Sequence, residues 1–421
     1  MLRKITSACV VAIVAVAAPG LPASARNHVY DLVSQFGSSA YDEAWGVTVD
    51  ASGVYAVGYT LGAFQGQHAR GGRDAFVRKY DANGKVVWTR QFGTSADDSA
   101  YQVAADNSGV YVIGNTAGQL AGLKSAGGTD GFLRKYTVDG RVLWTRQFGT
   151  AGEEFTESLA IGPEGILVVG NTTGAFPGAT NLGKNDVFLL EFDPAGTLKW
   201  TSEFGTNRDD QAFGVAADAS GAYVSGYTPG RFAGQTNRGG GADGFVRKVA
   251  LDGSELWTSE FGTKGYDLAF GVATFNNQLF VSGATSGVFP GETGSGKFDG
   301  YVRAMSPGDG TVVWTRQFGT KADDLTPSLS VSDAGIVAAG FTKGSFDSQH
   351  VGKADAIVLL LDPSGTVFAA DQFGTKAVDF ADWAVAGNGA IWTVGLTYGR
   401  FPGQHRSGGG DAFLARIPLE P

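Results

Sequence analysis

The sequence predicts an all-β chain: a seven-bladed β-propeller of four-stranded antiparallel blades, its ring closed by an N-terminal strand that completes the last blade. Three observations carry this. A Phe-Gly dipeptide preceded by Gln or Glu recurs seven times at steps of 55–57 residues, at Phe36, Phe92, Phe148, Phe204, Phe261, Phe318 and Phe373. Each interval holds four short segments rich in Val, Ile, Tyr, Phe and Trp, bounded by Gly, Asp and Asn, the chemistry of strands and turns. Finally, the repeat begins on a lone fourth strand and stops after a third, so each end supplies what the other lacks.

Residues 1–25 are set apart from the fold. Arg3 and Lys4 precede an apolar run from Cys9 to Ala18, broken by Pro19, Gly20 and Pro22, and Ala23-Ser24-Ala25 offers the small-x-small pattern of a signal peptidase site. The run falls short of the roughly 20 residues that span a bilayer. Cys9 opens the apolar stretch instead of following it, which argues against a lipid anchor. Cleavage is therefore expected, leaving residues 26–421 as one propeller domain in the periplasm or the medium, with no membrane span.

That remainder has no cysteine, so disulfides are not expected to stabilise it. Without Arg3 and Lys4 the 32 basic residues fall to 30, against 41 acidic. Such an acidic balance disfavours nucleic acid and anionic membrane as partners. Glycine counts 65 of 421, about twice the usual share of roughly 7%. With so many aromatic and β-branched residues, tight turns explain this better than disorder.

Within the second unit the strands read as Tyr101–Ala105, Val110–Asn115, Phe132–Tyr136 and Val142–Phe148. Asp106-Asn107-Ser108-Gly109 joins the first two and Val138-Asp139-Gly140 the last two, both short enough for tight hairpins. The other two links are longer and Gly-rich. An open solenoid would need distinct polar caps, and pairing HVYDLVSQFG (residues 28–37) with Asp411–Ile417 removes the free edges instead.

Other markers keep the same period. Trp88, Trp144, Trp200, Trp257 and Trp314 stand four places before the Phe, and Gly-x-Thr recurs from Gly58 to Gly395. Taken together, QFG, a paired acid, D-x-S-G-V-Y-V-x-G-x-T, F-x-G and G-G-x-D-x-F-V-x-K resemble the bacterial SBBP repeat, across essentially all of residues 26–421. The resemblance implies a seven-bladed propeller in a secreted or surface protein, and no particular activity. Units five and six depart from it, with Asn277-Gln278 replacing the Ser-Gly turn and Ser348 replacing the Gly after F-x.

Two features could carry chemistry on the face with the long loops. Six residues after each Phe comes a carboxylate: Asp42, Asp98, Glu154, Asp210, Asp267, Asp324 and Asp379. Such a ring is either a cation site, for which calcium is the fitting ion, or a set of loop-capping carboxylates that every blade needs. The same choice applies to the second acidic set, from Asp74 to Asp411. The other feature breaks the repeat. Gln67-His68, Gln349-His350 and Gln404-His405 occupy matching loops of units one, six and seven, which are consecutive once the ring closes. Blades packed about 10 Å apart cannot bring these histidines to the roughly 2 Å that zinc requires. They are either a polar ligand-binding patch or an exposed loop motif.

No G-x-S-x-G, H-E-x-x-H, EF-hand or P-loop occurs. DANGKVVW (residues 81–88) has neither the spacing of a sialidase Asp box nor a nearby cysteine of the quinoprotein kind. The expectation is a monomeric, non-enzymatic binding or scaffold propeller without an organic cofactor, recognising a glycan, peptide or surface partner outside the cell. A polysaccharide hydrolase or lyase using channel-mouth carboxylates is the alternative. A purely structural surface protein is a third.

Overall fold

The computed structural model describes residues 30–236, 238–346 and 350–419. The expected leader peptide, Ser348 and Gln349 lie outside them. Within these residues, 28 strands form seven four-stranded antiparallel sheets. Blade one runs from the axis outward as Asp42–Asp50, Gly53–Thr60, Asp74–Tyr80 and Val86–Phe92. Blades two to six repeat this order. Blade seven takes Asp379–Gly387, Ala390–Thr397 and Asp411–Pro418 from the C-terminal end and Leu32–Phe36 from the N-terminal end. Leu32 pairs with Arg416 and Phe36 with Ala412, so the expected ring closure is observed. The Asp31 carboxylate accepts two bonds of 2.8 Å from the Arg416 guanidinium beside that seam.

The core lies between the blades. Middle strands such as Gly53–Thr60 are buried at every position, because both faces pack against neighbours. The ring of Phe36 meets Phe76 edge-on at 5.9 Å and Phe64 at 6.1 Å, and the equivalent aromatics recur blade by blade. On the hairpin face the strand-four Trp reaches the next blade. Trp88 Nε1 donates to the Val138 carbonyl at 3.1 Å, and Arg90 Nε to that of Gly140 at 2.8 Å.

Blade five shows why its departure from the repeat is tolerated. Asn276 and Asn277 hold φ of 48° and 59°, the two left-handed residues of a type I′ hairpin, which Asn adopts more readily than most residues.

The acidic ring lies at the start of the innermost strands, on the opposite face from the tight hairpins. Each of its seven residues is at most 2% exposed. The backbone N–H of each donates to a carbonyl of the preceding blade at 2.8–3.0 Å, as Asp98 does to Arg73. Each side chain accepts the backbone N–H of the Ser or Thr four residues earlier at 2.5–2.7 Å, together with that residue's hydroxyl. The glycine of Phe-Gly is wedged between a ring acid and an acid of the second set. A Cβ on Gly93 would lie 2.6 Å from Asp74 Oδ1 and 2.7 Å from Asp98 Oδ2, so no larger residue fits.

Replacing Asp98 by Ala strands the Thr94 N–H and hydroxyl, and a loss of about 2–4 kcal/mol is expected from two bonds to a buried carboxylate. Gly93→Ala should cost a similar amount. Urea denaturation of each variant checks this, and a loss under about 0.5 kcal/mol, the range of neutral surface changes, would contradict it.

Candidate functional site

The innermost strands surround the axis, and each carries a β-bulge near its loop-face end. In blade one Ala44 pairs with Gly58 and Gly46 with Val57, leaving Trp45 out of register. Tyr101, Glu157, Phe213 and Asp382 occupy the same break in blades two, three, four and seven. The break is one residue wider in blades five and six and includes Phe270 and Pro327. A bulge turns its extra side chain out of the ladder, and here it brings neighbouring blades together. Trp45 stacks on Tyr101 at 4.5 Å, and Phe213 meets Phe270 at 5.1 Å.

The residues flanking the bulge repeat; the bulge residues do not. A small residue precedes it at Ala44, Ala100, Thr156, Ala212, Ala269, Thr326 and Ala381. All seven are fully or almost fully buried. The bulge itself holds Trp, Tyr, Glu, Phe, Phe, Pro and Asp. The position two before it is as varied, with Glu43, Ser99, Phe155, Gln211, Leu268, Leu325 and Phe380.

Two halves of the mouth differ in chemistry. From blade seven to blade two runs an aromatic ladder. Tyr398 meets Tyr41 at 6.0 Å, Tyr41 stacks on Tyr59 at 5.8 Å, and Tyr59 contacts Trp45 at 4.7 Å. Glu43 lies along it and accepts the hydroxyls of Tyr41 at 3.2 Å and Tyr59 at 3.1 Å. Arg73 rests 4.9 Å over the Tyr59 ring. Burial holds the Glu43 carboxyl above the usual carboxylate range, against the hydrogen bonds of Trp45, Tyr59 and Tyr41 and the charge of Arg73. Asp382 is held well above that range by burial and then by Glu43; its Oδ2 is shielded and unpartnered. Burial alone pushes Glu157 up to about 8. Blades four to six contribute no carboxylate at these positions, only Gln211, Phe213, Leu268, Phe270, Leu325 and Pro327. Below the bulges the channel holds a cavity of about 300 Å³ walled by residues such as Val47, Val103, Leu159, Val215 and Leu329.

The carboxylates singled out in the sequence lie outside this belt. Each acid of the ring accepts N–H and O–H donors in capping geometry, while Asp42, Asp98 and Asp210 each keep an Oδ1 that is buried without a hydrogen-bond partner. Asp74 likewise accepts the Arg70 N–H at 2.8 Å and the Gln91 amide at 2.8 Å. Among the described residues no three His, Cys, Asp or Glu side chains form a group fit for a metal ion. His68, His350 and His405 are exposed, with His350 Nδ1 3.3 Å from Asp355. Gln67 and Gln404 are engaged in the loops, where their Oε1 atoms accept the N–H of Gln91 at 3.0 Å and of Gln35 at 3.1 Å. Gln349 lies outside the described residues.

The belt residues do not recur, so the repeat that marks the blades does not mark them. The signal that finds them is a column of unlike residues between columns of like ones.

A second asymmetry affects the loops. In five blades the Gln of QFG clamps the long loop: Gln91 Oε1 accepts the Phe64 N–H at 3.0 Å while its amide donates to Asp74 and to the Gly62 carbonyl. Blades three and four carry Glu203 and Glu260 instead. Each keeps the acceptor half, from Phe176 at 2.9 Å and Phe232 at 3.0 Å, and leaves Oε1 buried without a partner. A proton on that oxygen restores the donor that Gln supplied. Burial, then Asp243, pushes Glu260 up to about 7, with Arg231 opposing. Glu203 is raised by burial and by Asp186 and Glu154.

No family model matches the chain. Over 311 residues it is 28% identical to the regulatory protein FlaEY of Caulobacter vibrioides, a match that covers 65% of this chain and 33% of that protein. The chain is a propeller. It therefore spans about a third of the length of the curated relative it matches. Among solved structures it resembles the WD40 domain of Neurospora crassa Pan2, with a TM-score of 0.51 at 11% identity over 92% of this chain and 96% of that one. The phage phi92 endosialidase follows at a TM-score of 0.49 and 9% identity, over 93% and 70% of the two chains. At 11% identity the likeness to the Pan2 domain shows the fold alone, and the weaker likeness to the endosialidase adds nothing to it. Among the described residues no helix is long and apolar enough to cross a membrane.

The Glu260 carboxyl, ordinarily near 4.5, titrates near 7 in the fold. The folded chain thus keeps a proton that the unfolded chain has lost, so stability falls as pH rises from 4.5 to 7. Glu260→Gln should leave stability at pH 4 unchanged and add about 1–3 kcal/mol at pH 8. Equal effects at both values in thermal denaturation would refute the shared proton.

Proposed function

We propose that this chain is an exported, non-enzymatic binding propeller of the SBBP repeat type, which receives part of an extracellular glycan or peptide at the loop-face mouth of its channel. One observation supports the reading above all. Seven structurally equivalent bulge positions carry Trp45, Tyr101, Glu157, Phe213, Phe270, Pro327 and Asp382, whereas the positions that build the blades repeat. Architecture calls for the same residue seven times; recognition of an asymmetric ligand does not. Exposed loop residues, including His68, His350 and His405, are proposed as secondary contacts on the same face. Export of a monomer through cleavage after Ala25 belongs to this proposal.

A polysaccharide hydrolase or lyase is the second reading. Burial and then Glu43 of the adjacent blade raise the proton affinity of Asp382, and glycoside cleavage needs two carboxyls that differ in protonation.

Thermal denaturation of residues 26–421 against soluble glycans and peptides tests both. A ligand at a hundredfold excess over its Kd should add about 2.7 kcal/mol of stability, and Trp45→Ala should abolish the gain. Release of shortened sugar chains in the same samples would favour the hydrolase. Calcium alone is expected to leave the melting temperature unchanged; a rise would make the acidic ring a cation site.

A further inference from the structure

We propose that the channel mouth receives a primary ammonium group on an alkyl stem, the side chain of a lysine in a partner peptide; this rests on the loop-face binding reading above. The polar half of the mouth supplies three carboxyl groups, Glu43, Glu157 and Asp382, and the cation beside them is Arg73, which lies over Tyr59 and whose charge lowers the proton affinity of Glu43. Of these three, Asp382 is the one with an oxygen, Oδ2, that is shielded from solvent with no hydrogen-bond donor facing it. An unpartnered buried oxygen is costly unless a donor arrives. An ammonium group brings three donors and the missing positive charge.

The aromatic ladder adds a second, independent preference. Trp45 and Tyr101 stack at 4.5 Å with planes 15° apart, and Tyr59 tilts against Trp45 at 50°. Their faces attract cations, Trp most strongly. Arg73 over Tyr59 shows the same attraction within the chain.

The apolar half distinguishes the carrier. Phe213, Phe270, Leu268 and Leu325 offer a stem no hydrogen bonds, and Gln211 is the polar exception there. A lysine presents four methylenes to such a wall. An amino sugar would press ring hydroxyls against it and leave them unsatisfied. The mouth is thus charged and aromatic on one side and greasy on the other, as an alkylammonium is along its length.

The test uses residues 26–421 in titration calorimetry with three probes: a capped pentapeptide with one central lysine, its Nε-acetylated twin, and a glucosamine oligomer. The lysine peptide should bind, with acetylation weakening it at least tenfold. Asp382→Asn should weaken it at least tenfold while the melting temperature holds or rises, which separates lost recognition from misfolding. Trp45→Leu, which keeps apolar bulk but removes the indole face, should weaken it as well. Equal binding of the acetylated twin, or an unchanged affinity in Asp382→Asn, overturns the proposal. Binding of the glucosamine oligomer alone overturns the lysine assignment and leaves the loop-face reading standing. Failure of every probe, together with the glycan and peptide panel, removes both.

Discussion

Seven sheets joined by short links hold together through a buried carboxylate at each junction, and the rest of the structure depends on it. The acid that opens each innermost strand ties its own backbone to the preceding blade and folds the Phe-Gly link around its side chain. Asp98 shows the arrangement in full, with its N–H on Arg73 and its carboxylate on the Thr94 N–H and hydroxyl. Burying such a group would be unfavourable without donors. Supplied with them, it becomes a directional latch that a purely apolar junction could not provide. Ring closure extends the benefit to every blade, because no sheet is left with an unmatched neighbour.

The latch also explains the sequence around it. Glycine follows Phe because two carboxylates occupy the space of its Cβ. Ser or Thr follows the glycine because the acid needs a hydroxyl donor. The Trp and Arg of the fourth strand do on the hairpin face what the acids do on the loop face. The arginine position is not constant around the ring, and Ser202 and Ser259 hold it in blades three and four. Arg90, Arg146 and Arg316 donate to a glycine carbonyl of the following blade. Asp371 takes that position in blade six, beside the blade built from both chain ends. Its carboxylate oxygens are buried and unpartnered among the described residues, and burial pushes it up to about 8.

Symmetry and its loss divide the labour in this molecule. Positions that pack blade on blade are held to apolar residues, as at Tyr80, Tyr136, Phe192, Val249, Met305, Leu361 and Ile417, since each must meet a like neighbour seven times. Around the axis the seven strands face a common space instead of one another's sheets, and unlike residues can coexist there. The bulges make this possible, because each takes one side chain out of the blade without disturbing the pairing on either side. The exchange of Gln for Glu in blades three and four is a milder case, in which the shape of the clamp is kept and its protonation becomes part of its structure.

Blade number, strand order and closure were legible in the sequence, because they rest on local chemistry that recurs: strand formers, Asx turns, and a spare strand at one end matching a gap at the other. The acidic ring was legible as residues, but not as bonds. Whether Asp42 or Asp324 caps a loop or awaits a cation depends on which donors surround it, and those come from residues brought near by the turn and by the neighbouring blade. The belt at the channel mouth was decided by tertiary structure alone. Trp45, Tyr101, Glu157 and Asp382 lie about 56 residues or more from their nearest counterparts in the chain, and a strand pattern of period two does not reveal which residue a bulge will turn out of the ladder. Closing the ring makes them neighbours, since blade seven meets blade one only when both chain ends share a sheet.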